Sequence, residues 1–168
     1  MPGSPTDGGA PSGSVAVSTA DYLWFAELAL GQMTRMVGEL GDDLANRRPP
    51  VAGANSPYAI LTHCLGLMEY WAGATVAGRS IERDRAAEFT ARGDVATLCQ
   101  RAEEARMRLR NDLSGLDPWS APGNVRPDPG DPVPYSETKG AVLLHILEEL
   151  FQHLGQMEMT RDMLRAVT

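Results

Sequence analysis

The length, composition and charge of the chain indicate one soluble domain and exclude several classes of protein. Its 168 residues are 43% hydrophobic and 22% charged, with a formal net charge of −7, which is ordinary for a globular domain with its own core. The acidic balance excludes the basic surface that nucleic-acid binding needs, and no stretch approaches the roughly 18 apolar residues of a membrane span. We therefore expect a cytoplasmic protein that binds neither nucleic acid nor membrane.

The N-terminal part predicts a loose tail followed by a helix. Residues 1–17 are rich in Gly, Ser, Pro and Ala and lack a signal-peptide pattern, so we divide the chain into a flexible tail and one domain over residues 18–168. Ser18 or Thr19 can cap a first helix, whose apolar residues recur at helical spacing until Gly41 offers a stop. Residues 42–55 are predicted to form a loop.

The second predicted helix begins at Ser56 and Pro57 and ends at Gly78. It is apolar nearly all round, so it should be central in the fold. His63 lies among its buried rows and needs a polar partner there. Taken alone, such a histidine is more often a satisfied core residue than a metal ligand.

The middle of the chain predicts a charged connector and a third helix. Residues 79–92 are interpreted as a solvated connector from which Phe89 turns inward. Asp94 is predicted to cap a third helix that has a charged, solvated face.

Cys64 and Cys99 are too few and too far apart for a disulfide framework, and apolar neighbours favour buried, inert thiols. The proline-rich span 116–135 is predicted to be a long loop, in which Trp119 either lines a pocket or anchors the chain.

A fourth helix is predicted over residues 139–165, with Ser136 as its cap. It carries the residue pattern that most clearly indicates a chemical function. His145, Glu149 and His153 follow one another at i, i+4 steps on one side of this helix. Relative to its apolar seam, Glu149 and His153 form the better inward pair, whereas His145 is expected to be half-exposed at the rim. A carboxylate and an imidazole are good ligands for zinc, nickel or iron.

Four amphipathic helices without a strand pattern predict an all-α four-helix bundle with a long connection before the last helix. Metal sites in bundles are built from side chains of facing helices. His63 would add a third ligand to Glu149 and His153, which leaves one coordination position open.

Three segments together resemble the DinB-like superfamily: HCLGLMEYW at 63–71, RDRAAEF at 83–89 and HILEELFQHLG at 145–155. They are most similar to its actinobacterial branch related to mycothiol-dependent maleylpyruvate isomerase, over roughly residues 18–166. The resemblance implies a metal-binding bundle whose members often form homodimers. By position, His63 matches the second-helix ligand, and Glu149 and His153 match the Glu-x-x-x-His pair. Gln156 departs from the branch, where histidine commonly follows the glycine, and is expected to alter a substrate contact rather than the metal.

The resemblance also implies a chemistry. Enzymes of this kind look like thiol transferases, in which a divalent metal, zinc above all, activates a low-molecular-weight thiol such as mycothiol or bacillithiol for attack on an electrophilic small molecule. Arg83 or Arg85 could engage an acidic cofactor or substrate, although a surface arginine is the plainer interpretation. Two alternatives stay open: a hydrolase that uses metal-activated water, and a non-catalytic, stress-related dimeric bundle.

Overall fold

The computed structural model describes residues 17–123 and 137–166, together with Gly13 and Val15. Most of the predicted tail, most of the predicted proline-rich loop and the predicted cap Ser136 lie outside these residues.

The described chain is helical and contains no strand. Four long helices form a bundle, and a fifth, short helix lies on the connection between the second and the third of them. In chain order they are α1 (Thr19–Ala45), α2 (Pro57–Met68, continued by a π-helical segment, Glu69–Val76), α3 (Arg85–Glu88), α4 (Val95–Asp112) and α5 (Lys139–Ala166). The predicted all-α four-helix bundle is confirmed.

Side-chain caps fix where the long helices begin. The side-chain oxygens of Ser18, Ser56 and Asp94 each accept a hydrogen bond from the backbone N–H three residues further on, at 3.0, 3.2 and 2.7 Å. Each bond satisfies an amide that the first helical turn leaves without a partner. At α5 the corresponding acceptor is Thr138, whose hydroxyl oxygen lies 3.1 Å from the amide of Ala141.

The end of α1 differs from the prediction. Gly41 interrupts the helical path with φ of +64°, a conformation that glycine adopts without steric cost. The backbone then returns to a helical turn, and α1 ends at Ala45. The loop predicted to begin at residue 42 therefore begins four residues later. Asn46 closes this end, because its side-chain amide donates to the carbonyl of Asp42 at 2.8 Å.

Helix α2 is a central helix of the described bundle. It packs against α1, α4 and α5, and α1 likewise packs against α4 and α5. Every residue of α2 from Pro57 to Met68 is buried except Gly66, which is partly exposed. The face of α2 that carries His63 therefore lies beside α5.

The π-helical continuation of α2 widens the helix where it approaches α4. The amide of Ala77 donates to the carbonyl of Ala72, five residues back, at 2.9 Å. Gly73 leaves room there for the guanidinium of Arg79, since a Cβ atom would lie 2.2 Å from Nη2. Arg79 in turn binds Asp112 at 2.8 Å, which ties the end of α2 to the end of α4.

The two cysteines are free, as expected, but they differ in burial. Cys64 is fully buried in the core, and its burial raises the pKa of its thiol. Cys99 is only partly buried, and desolvation again raises its pKa. Among the described helices, we find none that is both long and apolar enough to cross a membrane.

Candidate metal centre

His63 of α2 and Glu149 and His153 of α5 converge at one place in the bundle. One ligand atom of each lies within 4.8 Å of the others. The imidazole rings of His63 and His153 meet edge to face, with 4.8 Å between their centroids. The sequence thus identified three residues that the fold brings together, although His63 lies 86 and 90 residues before Glu149 and His153. Their role as metal ligands stays a prediction.

The spacing of the α5 pair suits a small cation. His153 Nε2 lies 3.2 Å from Glu149 Oε2. Two ligands of a tetrahedral zinc ion, each about 2.0–2.1 Å from it, lie about 3.3 Å apart. The i, i+4 step therefore presents two donor atoms at the separation that such an ion requires, and His63 is placed to complete the set.

Glu88 supplies the polar partner that buried His63 needs. The Nδ1 atom of His63 lies 2.8 Å from Glu88 Oε2. Burial is the largest single influence and acts to raise the pKa of Glu88, but the hydrogen bonds from His63 and Arg83 together lower it overall. The ionised carboxylate can only accept. Nδ1 therefore carries the proton, and Nε2 is left with the lone pair that a metal needs.

Arg83 holds Glu88 in place from the other side. Its Nε and Nη2 atoms donate to the two carboxylate oxygens at 2.8 and 2.9 Å, a bidentate pair. Arg83 Nη2 also lies 3.4 Å from His63 Nδ1, but two donors face each other there, so we do not count a hydrogen bond. The interpretation of Arg83 as a surface arginine is wrong, because only 11% of its side chain is exposed. A contact between Arg83 and a substrate stays a prediction.

The predicted solvated connector is therefore part of the site. Asp84 caps α3 by accepting from the amide of Ala87 at 3.0 Å, and this short helix presents buried Glu88 to α2. Gly66 makes the approach possible, since a Cβ atom there would lie 2.0 Å from Glu88 Oε1. Phe89 turns inward as predicted and stacks on the His63 ring with 4.4 Å between centroids.

Gln156 provides a hydrogen-bond partner for Nδ1 of His153, as Glu88 does for Nδ1 of His63. The Nδ1 atom of His153 lies 2.8 Å from Gln156 Oε1, which leaves Nε2 directed at Glu149. Gln156 is exposed, and its position at the rim of a substrate pocket stays a prediction. Its contact is nevertheless with a candidate ligand, so its influence on the site passes through His153.

The surroundings shift the pKa values of the three candidate ligands in different directions. Burial is the main cause that lowers the pKa of His63, which favours the neutral imidazole that metals bind. The hydrogen bond from His153 lowers the pKa of Glu149. For His153, burial acts to lower the pKa, but the bonds with Glu149 and Gln156 raise it overall. A proton on this imidazole occupies the place between the two side chains that a cation would take.

His145 does not lie half-exposed at the rim as predicted. It is 8% exposed, and its ring meets Trp71 edge to face at 5.3 Å. Its Nδ1 atom lies 3.2 Å from Glu148 Oε2. His145, Glu148 and Glu149 form a second group whose ligand atoms lie within 4.8 Å, but Glu148 is largely exposed and Glu149 is shared with the centre described above.

The other two residues singled out in the sequence lie differently. Trp119 is 38% exposed in the turn after α4, where its amide donates to Asp117 Oδ1 at 3.0 Å. Arg85 lies closer to the centre. Its guanidinium carbon is 5.4 Å from the centroid of the Phe89 ring, and its charge acts to lower the pKa of His153.

Sequence analysis missed Glu88 as a part of the site. The only signal was the burial of His63, which predicts a polar partner without naming it. Glu88 is 25 residues away on a charged segment that looks solvated.

The fold and the site define a four-helix bundle with a candidate His-Glu-His metal centre between its second and last long helices. The family model of the DinB superfamily matches residues 27–157, more than three quarters of the chain. The protein therefore belongs to the DinB superfamily. No curated protein matches the chain.

Proposed function

We propose that this protein is a zinc-dependent thiol transferase that uses a low-molecular-weight thiol, such as mycothiol, to attack an electrophilic small molecule. The observation that carries the proposal is the convergence of His63, Glu149 and His153, with the second ring nitrogen of each histidine already engaged by Glu88 or Gln156. Two histidines and one glutamate are a frequent ligand set of catalytic zinc. When bound, the cation would favour loss of the proton of a coordinated thiol.

The burial of the ligands supports an open position on one side. The side chain of His63 is 2% exposed, whereas those of Glu149 and His153 are 24% and 16% exposed. Protein therefore closes the centre on the side of α2, and solvent reaches it along α5. A small substrate would enter on that side, and we place the reaction in the cytoplasm, where such thiols are kept reduced.

Arg85 supports a preference for acidic substrates. It is exposed and lies near His153, close enough for its charge to act on the imidazole. An exposed guanidinium beside the open face can bind a carboxylate of an incoming thiol or electrophile. Arg83 is the weaker candidate for this role, because its Nε and Nη2 atoms donate to Glu88 and only 11% of its side chain is exposed.

The test is a conjugation assay with the purified protein and a chromogenic electrophile. Turnover should require both zinc and an added thiol, and mycothiol, bacillithiol and glutathione should be compared at equal concentration. Glu149→Gln should abolish thiol-dependent turnover because it replaces an anionic ligand with a neutral one. Arg101→Gln, a change on the exposed face of α4, is the matched control and should leave the rate unchanged.

The assay also separates the remaining interpretations. Turnover that needs zinc but is indifferent to thiol would show a hydrolase that uses metal-activated water. Zinc binding without turnover of any electrophile would favour the interpretation of the protein as a non-catalytic bundle. Either result rejects thiol transfer.

We further propose that the protein is a homodimer joined through an aromatic patch on α1 and α5. Trp24, Phe25 and Phe151 are 60%, 46% and 39% exposed. Their rings contact one another edge to face, at 4.8 Å between Trp24 and Phe25 and 6.5 Å between Phe25 and Phe151. Exposed aromatic clusters of this kind are typical of protein interfaces.

A further inference from the structure

A separate cavity of about 350 Å³ lies between the loop after α1 and the segment that joins α3 to α4. Its walls include Arg47, Arg48, Arg92, Ser56 and Phe89, and none of the three candidate metal ligands. The volume falls within the range of about 300–1,000 Å³ that is usual for small-molecule sites. The cavity is thus large enough for a metabolite and distinct from the metal centre.

The cavity is positively charged in a chain whose net charge is −7. Arg47 pairs with Asp43. Arg48 donates to the carbonyl of Phe89 at 2.9 Å and is not paired with any carboxylate of the described residues. Arg92 likewise has no ion pair within the described part of the chain. Two guanidinium groups at the wall therefore lack an anionic partner among the residues that the structure describes.

The two walls of the cavity are held together by Asn46. Its side-chain Nδ2 donates to the carbonyl of Gly93 at 2.8 Å, and its Oδ1 accepts from the amide of Gly93 at 2.9 Å. This reciprocal pair joins the end of α1 to the residue that follows Arg92. The arginines consequently sit on a connection of fixed geometry rather than on independent loops, which reduces the entropy cost of binding.

We propose that this cavity is a binding site for a small organic anion that carries a phosphate or carboxylate group. Arg48 and Arg92 bind the anionic group, since guanidinium groups match the geometry of both kinds of oxyanion. The remaining volume takes the body of the molecule. Phe89 forms part of the wall and also stacks on His63, so an occupant of the cavity would contact a residue that covers a candidate metal ligand.

The test is isothermal titration calorimetry of the full chain with four probes: inorganic phosphate, malate, glucose 6-phosphate and uncharged glucose. Phosphate or malate should bind and glucose should not, and the order of affinities tells whether phosphate or carboxylate is preferred. Arg92→Gln should weaken binding about tenfold, the usual effect of losing one charged hydrogen bond. Arg48→Gln should do the same, but it also removes the bond to Phe89, so Arg92→Gln decides.

Two controls separate this site from the metal centre and from general charge effects. Arg101→Gln on α4 removes one exposed arginine that has no ion pair with a described residue, and it should leave the affinity unchanged. His153→Ala and chelator-treated protein should bind the anion as the zinc-loaded protein does. The proposal is overturned if no anion binds or if Arg101→Gln weakens binding as much as Arg92→Gln. It is also overturned if the His153→Ala variant or the chelator-treated protein no longer binds the anion. A wild-type protein that binds the anion but binds no zinc would reject the proposed metal centre alone.

Discussion

The 2.8 Å contact between His63 Nδ1 and Glu88 Oε2 joins two residues that lie 25 positions apart and are both buried. It determines which nitrogen of His63 is protonated, and therefore which nitrogen is directed at α5. Carboxylates that accept from the second nitrogen of a metal-binding histidine orient the ring and increase its basicity. The short helix α3 is thus part of the candidate centre, although it provides no ligand of its own.

Gly66→Ala should weaken zinc binding by displacing Glu88. The added Cβ atom would lie 2.0 Å from Glu88 Oε1, so the carboxylate must move away from His63. Loss of such an orienting partner usually costs roughly 10- to 100-fold in metal affinity. The zinc dissociation constant, measured by competition with a chelating dye, should rise by that order.

The matched control is Gly31→Ala, at a helical glycine of α1 with no atom within 4 Å of the added Cβ. It should leave the zinc affinity unchanged and stabilise the fold slightly, because alanine favours helix. Equal zinc affinity in the Gly66 variant and the wild type would show that the position of Glu88 does not matter to the centre.

Removal of a candidate ligand should abolish stoichiometric metal binding. Glu149→Ala and His153→Ala each leave two of the three donors, which is too few for a catalytic zinc site. Elemental analysis after gentle purification should find about one equivalent of zinc in the wild type and only a trace in these variants. His145→Ala is the control on the same helix and should retain most of the metal. The opposite pattern, with metal lost from the His145 variant and kept in the Glu149 variant, would show that His145 belongs to the ligand set.

The fold and the three converging side chains were predictable because they follow from periodicity. A helix repeats every 3.6 residues, so the inward direction of Glu149 and His153 follows from the apolar seam of α5. The inward direction of His63 follows from the apolar rows around it. The burial of His145 was not predictable in this way, because it depends on Trp71, an aromatic residue that α2 places against it.

The roles of Glu88 and Arg83 in the site could not be predicted from the sequence for a different reason. Charged residues on a short segment satisfy the pattern of a solvated loop, and only tertiary contacts show that they form a buried, paired network. Likewise, the end of α1 was misplaced because a glycine at positive φ can either stop a helix or kink it. Local sequence does not distinguish these two outcomes.

Gln156→Glu should increase zinc affinity, roughly 3- to 10-fold, because a carboxylate accepts more strongly from His153 Nδ1 than an amide does. Gln156→Ala should decrease it by about as much. Gln152→Glu adds the same charge to the same helix at another exposed position, and it should leave the affinity close to that of the wild type. If both glutamate variants tighten binding equally, general charge and not the contact with His153 is responsible.

Cys64 should resist alkylation in the native protein, because it is fully buried and its pKa is raised by that burial. The thiolate is the reactive form, so iodoacetamide should modify Cys64 only when the chain unfolds. Cys99 is partly exposed and should react slowly in the folded state. Mass spectrometry of Cys99→Ser measures Cys64 alone: no added mass is expected in buffer and one adduct in denaturant. Rapid modification in buffer would mean that the core around Cys64 opens readily.

Phe25→Asp should convert the proposed homodimer into a monomer. Phe25 lies between Trp24 and Phe151 and contacts both rings, so a carboxylate there would have to be buried without a partner in the interface. Size-exclusion chromatography with light scattering should give twice the 18.1 kDa chain mass for the wild type and the single mass for the variant. Met107→Asp, at a 53% exposed apolar residue of α4, is the control and should remain dimeric. A monomeric wild type at micromolar concentration, or a dimeric Phe25 variant, would contradict an interface at this patch.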